Sequence, residues 1–260
     1  MLESRIITEN LSFAYKNKSI IGNVNLNVDP GQVLVILGPN GIGKSTLLNC
    51  LSGVLTKYNG KISVNEKDLS ELTTKNLSHQ VALVSQGVSI KSSLTLFDYL
   101  LLGRTSFHSI FEQPDEHDEK VVANVIEEIG LIDYRNISLQ NMSGGQRQLA
   151  IIGRALAQEP DILIMDEPTS ALDYKNQTVV LKLIRELSNK DISIIMSTHD
   201  PNQAQIIGDE VGLLIDNKTY LQGSTNEILN DKNLSKLYGT SILSTYNESV
   251  NRKIFGIGMD

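Results

Sequence analysis

The chain has 260 residues, 40% of them hydrophobic and 20% charged. That balance, at a length fitting one large domain or two small ones, allows a full aliphatic core and excludes a disordered tail, a fibrous repeat or a disulfide-stapled miniprotein. The 23 Lys and Arg against 30 Asp and Glu give a net charge of −7, so there is no global basic footprint and no nucleic-acid partner is expected. A single cysteine, Cys50, rules out intrachain disulfides and multi-thiolate metal sites.

The first residues, Met1 to Arg5, lack the basic-then-apolar pattern of a signal peptide. No apolar run approaches the roughly 18 residues of a membrane span. A soluble chain is expected, docked on a membrane only through a partner. Leu11, Phe13 and Tyr15 alternate with polar residues, as do Val24, Leu26 and Val28 before the Pro30-Gly31 turn, so the start reads as an antiparallel hairpin. Val33–Leu37 is continuously apolar, as in a parallel strand covered on both faces. A glycine-rich loop follows, then a helix with Leu47, Leu48, Leu51 and Leu55 on one face. Ile62 and Val64 alternate again, and residues 81–85 read as a further alternating strand.

From about Ser89 to Asn141 the character changes to helix and loop. Val122, Val125, Ile126 and Ile129 have helical spacing and Gly130 is a natural stop. Thereafter strands (Ile162–Met165, 192–196 and 211–215) alternate with a helix bearing Val180, Leu183, Ile184 and Leu187, and with one opened by Asp200-Pro201. The expected architecture is α/β, with a mainly parallel sheet, an N-terminal antiparallel β part and a helical insert.

Three segments carry chemistry. Gly38-Pro39-Asn40-Gly41-Ile42-Gly43-Lys44-Ser45 fits G-x-x-x-x-G-K-[ST] at every fixed position, between a buried strand and an amphipathic helix. Glycines let backbone N–H groups curl around phosphates, and the helix N-terminus adds positive potential. Lys44 is placed to reach β- and γ-phosphates, and the Ser45 hydroxyl to bind Mg²⁺. Asp166 and Glu167 end a four-residue apolar strand. Asp166 there suits Mg²⁺ and Glu167 suits polarising a water, although alone the pair would also fit a solvated acidic turn. Ser143 and Gln146 form a capping box. A cap does not need Gly144 and Gly145, whose exposed N–H groups suit a phosphate. A second phosphate cradle beside a complete first one suggests service to a nucleotide held by another subunit.

With these motifs in order, the sequence resembles the ATP-binding subunits of ABC transporters over about residues 5–240. The resemblance implies a P-loop, RecA-like core. It makes Tyr15 the aromatic that stacks on adenine, Gly38 to Ser45 the Walker A loop, and Gln86 the Q-loop glutamine. It makes Met142-Ser143-Gly144-Gly145-Gln146 the signature, Asp166 and Glu167 the end of Walker B, Ser170 to Asp173 the D-loop, and His199 the switch histidine. Taken singly, Tyr15 also reads as a packed edge aromatic, Gln86 as a polar turn residue and His199 as a helix-start residue.

The resemblance further implies a head-to-tail dimer, with itself or with a paralogous ATPase, closing on two ATP–Mg²⁺. The N–H groups of residues 41–46, Thr46 included, would hold phosphates with Lys44. Ser45, Gln86 and Asp166 would order Mg²⁺, Glu167 would be the general base, and His199 would contact the γ-phosphate. Ser143 and Gly145 would act from the partner, and Asp173 would link the two sites. Permease subunits, an extracellular substrate-binding protein and the cytoplasmic face of the cell membrane are implied as well. Met142 and Ile42 depart from the family's usual leucine and small residue.

The run from Leu94 to Gly103-Arg104-Thr105, and Leu234-Ser235-Lys236-Leu237-Tyr238-Gly239, resemble importers of iron chelates, haem and cobalamin. Iron–siderophore is the first expectation, with haem, cobalamin and metal oxyanions open. A soluble ATPase without a permease, such as an iron–sulfur cluster assembly factor, is the alternative. One ATPase domain is expected over residues 1–240, with a helical subdomain at about 89–158, and 241–260 as an extension carrying no legible motif. Arg104 is expected to serve coupling to the permease. His79, His108 and His117 are expected at the surface, residues 115–119 as a solvated loop and helix start, and Cys50 as a buried apolar side chain.

Overall fold

The computed structural model describes residues 4–16, 18–87, 92–108 and 112–259. Ser89, the expected start of the helical insert, and Met1 lie outside them. Strands β1 (Ile6–Tyr15) and β2 (Lys18–Val28) pair antiparallel, with Ile6 opposite Val28 and Phe13 opposite Ile21. The chain then runs through β3 (Val33–Leu37) and helix α1 (Lys44–Leu51). It returns to the first sheet as β4 (Asn59–Val64) and β5 (Lys67–Asp68), giving the order β2-β1-β4-β5.

After the short helix α2 (Thr74–Ser78), β6 (Val81–Val84) opens the far edge of the main sheet. Three helices follow: α3 (Leu96–Leu101), α4 (Glu116–Glu128) and α5 (Gly144–Leu156). Then β7 (Ile162–Met165), α6 (Tyr174–Ser188), β8 (Ser193–Thr198), α7 (Pro201–Ile207), β9 (Glu210–Leu214) and β10 (Tyr220–Ser224) complete the sheet. Its order is β10-β9-β3-β8-β7-β6, parallel except for the antiparallel edge strand β10.

The continuous apolar run of β3 has the meaning assigned to it. Val33, Val35 and Leu37 point into one core cluster; Leu34 and Ile36 point into the other, with Leu47, Leu48 and Leu51 of α1 and Ile62 of β4. All five β3 residues are fully buried, each contributing about 1.5–3 kcal/mol of apolar burial. Cys50 is buried on α1, and desolvation pushes its thiol up to about 12. The alternation expected for residues 81–85 is absent: Val81, Ala82 and Val84 are all buried, because both faces of β6 are covered. The strand expected at 192–196 is displaced to Ser193–Thr198, since Ile192 still belongs to the turn that follows α6.

Three expectations about the helical part need correction. Arg104 is 2% exposed and is a structural hub. Its Nε donates to Asp118 Oδ1 at 2.8 Å, its Nη1 donates to the Ala157 carbonyl at 2.8 Å and to Glu159 Oε2 at 2.7 Å, and its guanidinium lies 3.7 Å over the Phe107 ring. It therefore ties the start of α4 to the end of α5 and presents no surface to a permease. Asp118 is buried beneath it, within the stretch expected to be solvated. Burial opposes its charge, but hydrogen bonds from Arg104, the Asp115 N–H and His108 win and hold the carboxyl down at about 2. His108 pairs with Asp118, and His79 stacks on Phe107 at 4.1 Å; of the three histidines read as surface residues, His117 is the exposed one.

The C-terminal stretch is ordered. Helices α8 (Thr225–Ile228) and α9 (Asp231–Tyr238) lead into a hairpin of β11 (Ile242–Asn247) and β12 (Arg252–Ile257). Ile242 and Phe255 bury themselves in the main core. Each strand buries a single side chain, against a core built from distant segments, so no pattern marks the hairpin in the sequence. Among the described residues no helix is long and apolar enough to cross a membrane.

Candidate active site

Strands β3, β8, β7 and β6 are neighbours and run the same way, so their carboxyl ends share one edge of the sheet. Ligands of such sheets bind in the crevice beyond those ends. There β3 delivers the glycine-rich loop, β6 delivers Gln86, β7 delivers Asp166 and Glu167, and β8 delivers His199.

The loop closes on Gly43, which caps α1 at a φ of 118°, a backbone region that L side chains rarely adopt. A Cβ there would also lie 2.9 Å from Ile21. Lys44 folds its ammonium back over the loop, donating to the Gly38 carbonyl at 2.8 Å and the Pro39 carbonyl at 3.2 Å. The same ammonium is 3.2 Å from Glu167 Oε1.

Glu167 is the convergence point. Gln86 Nε2 donates to its Oε2 at 3.2 Å, and His199 Nδ1 lies 3.3 Å from that oxygen. Its backbone is left-handed, with φ 47°, a strain of about 1–3 kcal/mol that the surroundings must hold. They hold it at both ends. The Glu167 N–H donates to Ser197 Oγ at 2.9 Å, and its carbonyl accepts from the Ser170 N–H at 3.2 Å and the Ser170 hydroxyl at 3.1 Å. The Ser197 hydroxyl donates in turn to Asp166 Oδ1 at 2.6 Å. One fully buried serine thus fixes both acidic residues. Sequence reasoning missed it; the signal was the hydroxyl pair Ser197-Thr198 after the apolar run Ile194-Ile195-Met196.

A cleft of about 370 Å³ opens here, lined by Asn40, Gly41 and residues 43–46 of the loop, by Gln86 and Glu167, and by Ile20 of β2. Ser45 is exposed to it, whereas Thr46 is buried against the protein. Ile42 and Gly38 do not line it; the Ile42 side chain packs against Gly38, where a Cβ would lie 2.8 Å from it. Tyr15 ends β1 edge-on to Phe13, ring centroids 4.8 Å apart, with 51% of its surface free. It both packs as an edge aromatic and stays half exposed.

The signature residues are absent from the cleft lining. Ser143 caps α5, its Oγ accepting from Gln146 N at 3.3 Å while Gln146 Oε1 accepts from Ser143 N at 2.8 Å. Gly144 has open space where a Cβ would be, but a Cβ at Gly145 would collide with the Asn176 side chain. Asn176 lies in the first turn of α6, which Asp173 caps by accepting from Asn176 N at 2.8 Å. The structure therefore gathers Ser143, Gly144, Gly145, Gln146 and Asp173 into one patch of their own. Beside it Tyr174 is 90% exposed.

A phosphate-binding loop, a lysine reaching across it and an anchored acid pair on the next-but-one strand define a P-loop nucleotide hydrolase. The sequence pattern of the family described as ABC transporter matches residues 21–170. The petrobactin import ATP-binding protein FpuD of Bacillus anthracis is 33% identical over 232 residues, covering 89% of this chain and 85% of that protein. The molybdate import ATP-binding protein MolC of Haemophilus influenzae is 33% identical over 239 residues, covering 91% and 89%. A solved inward-facing ABC transporter, provisionally typed as metal-chelate, superposes with a TM-score of 0.87 at 30% identity over 99% of both chains. The chain belongs to the ABC transporter family, as an ATP-binding protein that hydrolyses ATP.

Proposed function

We propose that this chain powers an importer for a metal chelate, with an iron–siderophore complex as the first substrate class. The observation that carries hydrolysis is the convergence of Lys44, Gln86 and His199 on Glu167 at the phosphate loop. The similarity to a petrobactin importer's ATP-binding protein supports the substrate class, as does the similarity to a metal-chelate-type transporter. The equally similar molybdate relative makes the oxyanion the competing cargo, and haem and cobalamin belong to the same test.

In this reading Tyr15 stacks on adenine, and the backbone N–H groups of residues 41–46 cradle phosphates, with Gly38, Pro39 and Asn40 shaping the loop that presents them. Lys44 leaves Glu167 for the β- and γ-phosphates. Glu167 takes a proton from the attacking water, whose oxygen bonds to the γ-phosphorus as the bond to the ADP oxygen breaks. His199 donates to the γ-phosphate. The Ser45 hydroxyl, the Gln86 amide oxygen and the Asp166 carboxylate form an all-oxygen donor set that fits Mg²⁺, a hard cation otherwise held by phosphates and water. Bound there, Mg²⁺ would neutralise phosphate charge.

Two copies, or this chain and a paralogous ATPase, close head-to-tail. Ser143, Gly144, Gly145 and Gln146 of each reach the other's γ-phosphate, and Asp173 links the sites. Residues 1–240 act as one ATPase domain, the insert at about 89–158 faces the permease, and 241–260 is a C-terminal extension packed on the domain's core. The assembly sits at the cytoplasmic face of the membrane with an extracellular substrate-binding protein in the same system.

Capture of the tagged full chain from mildly solubilised native membranes tests this. A polytopic permease and an extracellular binding protein that prefers a ferric siderophore are expected, with uptake lost in Glu167→Gln. Soluble partners alone would instead support an assembly-factor ATPase, and preference for molybdate would make the cargo an oxyanion.

A further inference from the structure

His199 sits on a loop with a second anchor on its far side. The Tyr238 hydroxyl, at the end of α9, donates to the His199 carbonyl at 2.8 Å. The N–H of the same peptide unit, that of Asp200, donates to Thr198 Oγ1 at 3.2 Å. The plane joining residues 199 and 200 is therefore pinned at both ends. Asp200 then caps α7 by accepting from Asn202 N at 2.8 Å, and Pro201 fixes the next φ. With this backbone locked, the imidazole of His199 is left with its side-chain torsions alone.

Packing does not do this job. A cleft of about 450 Å³ opens here, lined by His199, Pro201, Tyr238, Ile242, Phe255 and Ile257. The C-terminal hairpin holds the frame around it: Asn202 Nδ2 donates to the Phe255 carbonyl at 3.2 Å, and Phe255 N donates to Asn202 Oδ1 at 2.9 Å. The hairpin is tied to α9 by Ile242 N donating to Ser235 Oγ at 2.9 Å. Burial, and the nearby Asp200 carboxylate, push the Tyr238 phenol up, so it keeps its proton and its donor role at neutral pH.

We infer that Tyr238 is a positioning residue for hydrolysis: its hydroxyl clamps the backbone of His199 and so aims the imidazole at Glu167 and the γ-phosphate. The inference rests on the reading of His199 given above. It makes the end of α9, framed by the C-terminal hairpin, a working part of the switch loop.

Steady-state and single-turnover ATP hydrolysis by the full chain test it in Tyr238→Phe, His199→Ala and the double variant, with melting temperature followed for each. Tyr238→Phe is expected to lower kcat by about three- to tenfold, the effect of one lost hydrogen bond, with KM for ATP unchanged. In the His199→Ala background it should cost nothing further. Thr198→Val, which frees the other end of the same peptide, should show the same non-additive loss and serves if Tyr238→Phe folds poorly. Full additivity with His199→Ala, or wild-type kcat in Tyr238→Phe and Thr198→Val, would overturn the inference. Undiminished hydrolysis in His199→Ala alone would overturn the reading of His199 beneath it.

Discussion

Lys44 Nζ lies 3.2 Å from Glu167 Oε1, with the two side chains only 6% and 8% exposed. The cation of the phosphate loop and the acid of the neighbouring motif thus neutralise each other where neither could be buried alone. A γ-phosphate entering the cleft competes with Glu167 for the same ammonium. Nucleotide binding and release of the carboxylate for base chemistry are then one event.

Lys44→Ala is expected to weaken ATP binding by about 10–100-fold, the range for one charge-assisted contact. It also strands Glu167 without its cation. Titration with a fluorescent ATP analogue checks it; unchanged affinity would mean that Lys44 stays on the loop carbonyls when nucleotide binds.

Glu167→Gln keeps the shape and the hydrogen bonds to Gln86 and Ser197 but removes the base. Hydrolysis should fall by about 10²–10⁴-fold while ATP binding persists. The variant should run as a dimer on gel filtration with ATP and Mg²⁺. A monomer under those conditions would argue against head-to-tail closure.

Ser197→Ala removes the hydroxyl shared by Asp166 and the Glu167 N–H. Two buried polar groups then lose a partner, and a cost of about 1–3 kcal/mol in stability is expected. Because Glu167 sits in a left-handed backbone held by that bond, kcat should drop by about tenfold with KM for ATP little changed. Wild-type turnover would show that Ser170 alone holds the residue.

Asp118 has its carboxyl depressed to about 2 by partners that overcome its burial. A depressed acid contributes stability above its unfolded value, near 3.8, and loses it as pH falls through the folded one. Wild-type stability should therefore decline between about pH 4 and pH 2 more steeply than that of Asp118→Asn, measured by chemical denaturation. Arg104→Ala, which strands the same buried carboxylate, should cost about 3–5 kcal/mol and lower hydrolysis and uptake together with the folded fraction. Normal folding with uncoupled uptake would return Arg104 to a coupling role.

Local chemistry wrote much of this protein into its sequence. The strand–loop–helix around Lys44, the acid pair closing β7, the capping box of Ser143 and Gln146, and the Asp200-Pro201 helix start are patterns within a few residues. Hydrogen bonds and backbone torsions enforce them at short range, so they read directly. What tertiary structure alone decided depends on contacts between distant segments. The strand order β3-β8-β7-β6 brings the phosphate loop, His199, Glu167 and Gln86 to one edge. Ser197 acquires its role only when β8 lies beside β7. Asp118 looks like a solvated helix-start acid until Arg104 is folded onto it. The hairpin of Ile242 and Phe255 has no motif because its meaning lies in what it rests against. The physical reason is the same throughout: burial and long-range hydrogen bonding are set by neighbours that the sequence does not keep adjacent.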